Sequence, residues 1–274
     1  MKQFQFEPLK PKKVLAIGAH PDDIDFCAGG TIALFAAQGA DVRYLQITDG
    51  SCGSNKPNMS CKQVAAMRRK EQKAACQIIG GSGVKFLNHH DGTLEVTMKL
   101  KSQICEVIRD FQPDVVITMD PTMVYSAEQG IINHPDHRAT GQAVLDSVYP
   151  LARDHLSLPR LFKRGLKPHK VDTVLLINFN EQNYYVDIGD TFETKIAATQ
   201  AHKSQIPDEQ AMNAMFKSWA ERAGKQSGYH YAESFVRIDM KIWDILTIKS
   251  LLTSINCGKI MVLEQAAGIY TDTF

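Results

Sequence analysis

Four short stretches of this chain concentrate imidazoles and carboxylates. They are Gly18-Ala19-His20-Pro21-Asp22-Asp23, Thr48-Asp49-Gly50, His89-His90-Asp91-Gly92, and a run from Asp120 that ends in Asn133-His134-Pro135-Asp136-His137. His20 and Asp23 stand three residues apart, and both side chains can reach one point if Pro21 opens a turn or a helix. Imidazole plus carboxylate suits a borderline dication such as zinc. A catalytic zinc usually takes three protein ligands and keeps one position for water, so a third ligand must come from elsewhere in the chain. His137, or its neighbour His134, supplies it. A single match of this kind is more often an ordinary satisfied histidine, and it is the pairing of two such motifs in separate loops that points to a metal. Asp22 adjoins a presumed ligand, but its side chain should point another way. It is therefore free to act as general base on a water that the metal acidifies, while the metal polarises a scissile carbonyl. The plainer reading of Asp22 is a carboxylate favoured by a helix N-terminus.

The elements that must position these loops are legible as alternating patterns. β-Branched runs at 14–17, 42–47, 84–87, 115–118 and 174–177 predict buried parallel strands. Helices are expected at 30–38, 61–79, 98–111 and 137–149, the second closed by the stop signal Gly80-Gly81. Regular alternation of strand and helix means an α/β fold, a parallel sheet with helices on both faces. In such sheets the ligand crevice lies beyond the C-terminal ends of the strands, where all four polar stretches fall. The expectation is one domain over 1–274: a core over 1–150 that carries the metal motifs, and a less regular C-terminal elaboration over 151–274. Pro159 and Pro168 mark a long connection in the latter, before helices near 191–202 and 209–223.

Composition excludes several classes. Apolar residues are 44% and charged residues 22%, ordinary globular usage that favours autonomous folding. The net charge of +1, without a basic block, gives no electrostatic footprint for nucleic acid or an anionic membrane. No segment is apolar enough to insert in a bilayer, and the basic N-terminus has no apolar run behind it, so no secretory signal is expected. Six cysteines (Cys27, Cys52, Cys61, Cys76, Cys105, Cys257) form no CxxC pair. A reducing, cytoplasmic setting without disulfides is expected. The partner is a small molecule, and subunit association would be unsurprising.

Together the motifs resemble a known family. AHPDDIDFCAGGT at 19–31, RRKE at 68–71, HDG at 90–92 and NHPDHRATG at 133–141 look like the LmbE-like (PIG-L) deacetylases, with weaker echoes in Lys195, in 201–205 and in 228–235. The resemblance implies a Rossmann-like sheet and removal of acetyl from an N-acetylglucosamine-type conjugate with a metal, typically Zn2+. Carried over by position, it implies that His20, Asp23 and His137 bind the metal and that Asp22 is the general base. His134 would be an imidazolium that stabilises the oxyanion or protonates the leaving amine, oriented by Asp136. Arg68 and Asp91 would grip sugar hydroxyls, although Arg68 lies in a charged helical stretch and Asp91-Gly92 is also a turn signal. His202 is read as a cation near a helix end and left outside the site.

Three positions depart from the family pattern. Ile24 replaces a common Glu, with an acid one place later at Asp25; Ser51 replaces another Glu; and Ile132 stands where some members have an oxyanion-donating Tyr. Tyr125, in the same loop, could take over that load. A dinucleotide-binding alternative fails because the first strand runs into paired carboxylates, which would repel a pyrophosphate, and not into a GxGxxG turn. The remaining alternatives are a metal-dependent amidase acting on a non-sugar N-acyl substrate and a non-catalytic sugar-binding relative. Retention of Asp22, His134 and Asp136 argues against the second, since a binder needs neither base nor acid.

Overall fold

The first strand shows why the sheet is covered on both sides. In β1 (Lys13–Gly18) Val14 and Ala16 enter one apolar cluster, while Leu15 and Ile17 enter another on the opposite face. The computed structural model describes residues 6–54 and 56–240, and the residues up to Ile238 form one compact unit. The expectation of a single domain to 274 reaches past the described residues. After β1 the strands are β2 (Asp41–Thr48), β3 (Gly83–His89), β4 (Val115–Met119), a two-strand ribbon of β5 (Tyr125–Ser126) and β6 (Ile131–Ile132), β7 (Thr173–Ile177), β8 (Tyr184–Asp187) and β9 (Ala232–Asp239). The main sheet runs β3-β2-β1-β4-β7-β9-β8. Its first five strands pair in parallel, as expected, whereas β8 and β9 pair antiparallel.

Helices α1 (Asp23–Ala37), α2 (Cys61–Ile79) and α6 (Phe192–Gln200) supply one core, with Ile24, Ile32, Phe35, Ile79 and Phe192 buried against Val14, Val42 and Ile117. Helices α3 (Met98–Phe111), α4 (Pro135–Asp146) and α5 (Pro159–Lys163) supply the other, through Leu100, Ile104, Ile108, Val144 and Leu161. The last helix, α7 (Glu209–Ser227), buries Phe216 and Ala220. Where caps are strong the predicted bounds hold. In α2, Ser60 and Gln63 form a reciprocal capping box, and Gly80 ends the helix at φ 85°.

Two helices differ from expectation. α1 begins at Asp23 and not near 30, because Gly29-Gly30 lowers its intrinsic propensity while tertiary contacts restore it. Glu233 of β9 accepts hydrogen bonds from Gly30 N (3.0 Å) and Thr31 N (2.7 Å), and Lys195 neutralises that carboxylate at 2.6 Å. The echoes at Lys195 and 228–235 are therefore pins that hold α1. α4 starts at Pro135, capped by His134, and passes into a π-type turn over Ser147–Leu151.

β1 lies between β2 and β4, so the order reverses there and the chain opens a crevice at the C-terminal ends of β1 and β4. The AHPDD loop follows β1, and the HPDH motif opens α4, the helix after β4. Gly141 lets α4 approach that edge: a Cβ there would collide with the Met119 carbonyl oxygen and press on the Pro121 ring. Gly141→Ala should cost about 1–3 kcal/mol, a drop of roughly 2–12 °C in thermal midpoint. An unchanged midpoint would mean that helix and strand end are not in tight contact.

Candidate active site

A tight turn brings the first two candidate ligands together. His20 N–H donates to Asp23 Oδ2 at 2.7 Å, and the Asp23 N–H returns to the His20 carbonyl at 3.4 Å. From the first turn of α4, His137 is oriented by a 2.9 Å contact between its Nδ1 and Asn133 Oδ1. Its Nε2 then lies 3.2 Å from His20 Nδ1 and 3.1 Å from Asp23 Oδ1, while Asp23 Oδ2 is 3.5 Å from His20 Nδ1. Ligands at about 2.0–2.1 Å around a tetrahedral zinc stand about 3.3 Å apart, so the spacing of these groups suits such an ion. His134 belongs to the same imidazole cluster, with ring nitrogens of His20, His134 and His137 all within 4.8 Å. Its Nδ1, however, accepts the Asp136 backbone N–H at 3.1 Å, and the three-way contact of His137 with His20 and Asp23 makes it the better third ligand.

The other edge of the His20 ring faces carboxylates. Its Nε2 is 3.0 Å from Asp91 Oδ1 and 3.2 Å from Asp136 Oδ2. Those acids are fixed in turn, Asp91 by Cys52 N (2.9 Å) and Asp136 by Gly92 N (2.7 Å) and Leu94 N (3.2 Å). Carboxylates behind a ligating imidazole set its tautomer and raise its basicity, leaving Nδ1 to face the ion. Burial opposes charge on His20, yet the charge of Asp23, with hydrogen bonds that the ring donates to Asp136, Asp23 and Asp91, raises its pKa to about 12. Burial would likewise raise Asp23, but the charges of His137 and His20 hold it well below the carboxylate range. Three buried carboxylates around one imidazole carry an excess negative charge that a dication would neutralise.

Asp22 shares the cleft of about 250 Å³ with His20, Asp23, Arg68, Asp91 and His134. Burial lifts its pKa to about 6 against the lowering by the Arg68 charge, with Asp23 adding to the rise. Arg68 Nη2 lies 3.1 Å from Asp22 Oδ1. The Asp22 backbone is at φ 122°, ψ −37°, a conformation that costs a residue with a side chain about 1–3 kcal/mol.

Several expectations need correction. Asp136 does not orient His134 through its carboxylate, which turns to His20 and the 92–94 backbone; only its N–H meets the His134 ring. Consequently His134 is not held cationic: burial and the charge of His20 lower its pKa, outweighing Asp136. Arg68 is 4% exposed and gives Nη1 to the Gly50 carbonyl (2.9 Å) and Nη2 to the Pro21 carbonyl (2.8 Å), so it ties two loops together as well as facing Asp22. Its Nε remains without a partner. Asp91 serves His20 and Cys52 before any sugar. His202 does stand just past the end of α6, but it is fully buried there and pairs with Asp25 at 2.8 Å. Burial works against its charge, and Asp25 more than compensates, raising its pKa.

Gln72 and Tyr44, which join that buried pair, carry no motif in the sequence. Gln72 lies one helical turn beyond Arg68 on α2, the one pattern that could have drawn attention to it. Tyr125 is the direct cross-strand neighbour of Ile132 in the β5–β6 ribbon, so both side chains leave the same face. A second cavity, of about 140 Å³, lies away from the imidazole cluster, with Trp219 and the Lys195–Glu233 pair in its wall.

The chain is similar to known proteins along most of its length. Residues 15–148 match the family model PIG-L, described as GlcNAc-PI de-N-acetylase. The diacetylchitobiose deacetylase of Thermococcus kodakarensis is 34% identical over 81% of this chain and 81% of its own. A probable N-acetyl-alpha-D-glucosaminyl L-malate deacetylase 2 of Bacillus cereus is 31% identical over 71% of this chain and 84% of its own. Among solved structures, the N,N'-diacetylchitobiose deacetylase of Pyrococcus horikoshii superposes with a TM-score of 0.78 at 31% identity, covering 88% of this chain and 89% of that one. With its two histidine motifs at the reversal of a mostly parallel sheet, and with relatives of this identity along most of its length, the chain belongs to the PIG-L family.

Proposed function

We propose that this chain is a metal-dependent N-deacetylase that hydrolyses the acetamide of an N-acetylglucosamine-type conjugate, with zinc as its metal. The observation that carries the reading is the meeting of His20 Nδ1, His137 Nε2 and the Asp23 carboxylate at 3.1–3.5 Å, with the unligated Asp22 carboxylate in the same cleft. Those three residues would hold the ion. A divalent ion there supplies Lewis acidity to the acetyl carbonyl and makes a water acidic enough to attack at neutral pH.

The remaining chemistry belongs to side chains. Asp22 accepts the proton that the attacking water gives up, with the Arg68 guanidinium 3.1 Å away fixing its orientation. His134 accepts the Asp136 N–H at Nδ1, so its proton resides on Nε2 even when the ring is neutral. From there it donates a hydrogen bond to the developing oxyanion, and the proton held by Asp22 passes to the departing amine nitrogen. C–N cleavage then releases acetate and the free amino sugar. Asp136 and Asp91 act through His20 by bracing its Nε2. Support for a cytoplasmic setting comes from the free thiols of Cys52 and Cys61, both exposed. Among the described residues no helix is long and apolar enough to cross a membrane.

Asp22→Asn should lower kcat by about 10²–10⁴-fold while bound metal stays near one ion per chain, as read by amine release and elemental analysis. Wild-type turnover in that variant would remove Asp22 from the mechanism. Because Asp22 must be ionised and its pKa is raised to about 6 by burial, kcat/KM should fall as the pH drops. A nearby cation favours the carboxylate, so this limb should lie at or below pH 6. A rate that stays flat to pH 4 would exclude a buried carboxylate base. Tyr125→Phe tests the cross-strand replacement for Ile132: a loss in kcat at constant KM is expected, and unchanged turnover would leave the oxyanion to the ion and His134.

A further inference from the structure

Asp22 stands apart among the backbone specials of this fold. Three described residues other than glycine have positive φ: Asn88 at 60°, Gln112 at 57° and Asp22 at 122°. The first two occupy the ordinary left-handed well, and Gln112 there ends α3. Asp22, with ψ −37°, lies outside it, and such a conformation persists only where the surroundings over-determine it. Two hydrogen bonds hold this peptide. Its carbonyl accepts from Phe26 N at 3.0 Å as α1 begins, and its N–H donates to Gln72 Oε1 at 3.0 Å.

The Gln72 amide cannot turn freely. Its Nε2 donates to Asp25 Oδ2 at 2.7 Å, which commits Oε1 to the Asp22 N–H. Asp25 is held from behind by the Tyr44 hydroxyl at 2.7 Å and His202 Nε2 at 2.8 Å. Gln72, Asp25, Gln46 and His202 are 0% exposed and Tyr44 is 1%. A polar network in a core between helices costs more than apolar packing unless every member is satisfied, and His202 Nδ1 has no partner. An arrangement that tolerates this orphan and the strained peptide, and converges on one N–H, is spent on geometry at that N–H.

We infer that Gln72 is a positioning residue that clamps the Asp22 peptide and so aims the Asp22 carboxylate, with Asp25, Tyr44 and His202 fixing the direction of the clamp. None of the four lines the cleft, so they act through Asp22 alone. The inference rests on the reading of Asp22 as general base. The metal ligands have their own anchors, His20 N–H for Asp23 and Asn133 for His137. Loss of the clamp therefore separates turnover from metal binding.

Gln72→Met keeps the length of the side chain and deletes both its acceptor and its donor. In the zinc-loaded protein it should lower kcat about 10- to 100-fold, as expected for a misaimed group, with KM and metal content unchanged. Hydrogen exchange at the Asp22 amide should accelerate. In an Asp22→Asn background, assayed by single turnover, the same change should cost little more, since both act through one carboxylate. Tyr44→Phe, a milder change that removes one donor to Asp25, should shift kcat and Asp22 exchange in the same direction by a few-fold. Additive losses in the double variant, metal loss parallel to kcat, or wild-type kcat in both Gln72→Met and Tyr44→Phe would overturn the clamp. If Asp22→Asn alone turns over normally, the base assignment is what fails. Unchanged Asp22 exchange in Gln72→Met would instead refute the clamp itself.

Discussion

The site depends on the two edges of one imidazole. His20 offers Nδ1 to the point where Asp23 and His137 converge, and keeps Nε2 against Asp91 and Asp136. The four contacts reach three parts of the chain: the turn after β1, the loop after β3 and the first turn of α4. One ring thereby reports the correct docking of three strand ends. Its position at the reversal of strand order explains how residues over a hundred positions apart meet, because connections leave β1 and β4 in opposite directions and open the crevice between them.

Charge balance organises everything around that ring. Asp23, Asp91 and Asp136 surround His20, and all are buried. Burying like charges so close is unfavourable without a cation beside them. A dication at the Nδ1 side would satisfy these acids. Arg68 completes the balance for Asp22 while its remaining donors bind the Pro21 and Gly50 carbonyls. The same guanidinium thus sets both loop geometry and carboxylate charge, which is why it is buried although its helix reads as a solvated, charged face.

A second tier of polar contacts lies beneath the cleft. Asp25, Gln72, Tyr44 and His202 connect β2, α1, α2 and the residues after α6. Lys195 and Glu233 likewise fasten the glycine-weakened middle of α1 to β9. The buried network aims the Asp22 peptide, while the Lys195–Glu233 pair steadies the body of α1, the helix whose first turn carries Asp23. Precision at a metal site requires such support, since ligands held only by a loop would drift by more than the chemistry tolerates.

Local pattern by itself determined the five parallel strands, the capped helices α2 and α3, and the grouping of His20, Asp22, Asp23, His134 and His137 in strand-end loops. These features are encoded within a few residues, by short β-branched runs buried on both faces, by Ser60 and Gly80 at helix ends, and by short polar motifs. Tertiary structure alone decided the start of α1, the antiparallel pair β8–β9, the turn of Asp136 toward His20, and the burial of Arg68 and His202. In each of these the deciding partner is remote in sequence: Glu233 for Gly30, His20 for Asp136, Pro21 for Arg68, Asp25 for His202. A side chain's type and neighbours limit what it can bind. Which partner it does bind is set by the fold, because a buried polar group takes the one complementary atom that packing leaves within reach.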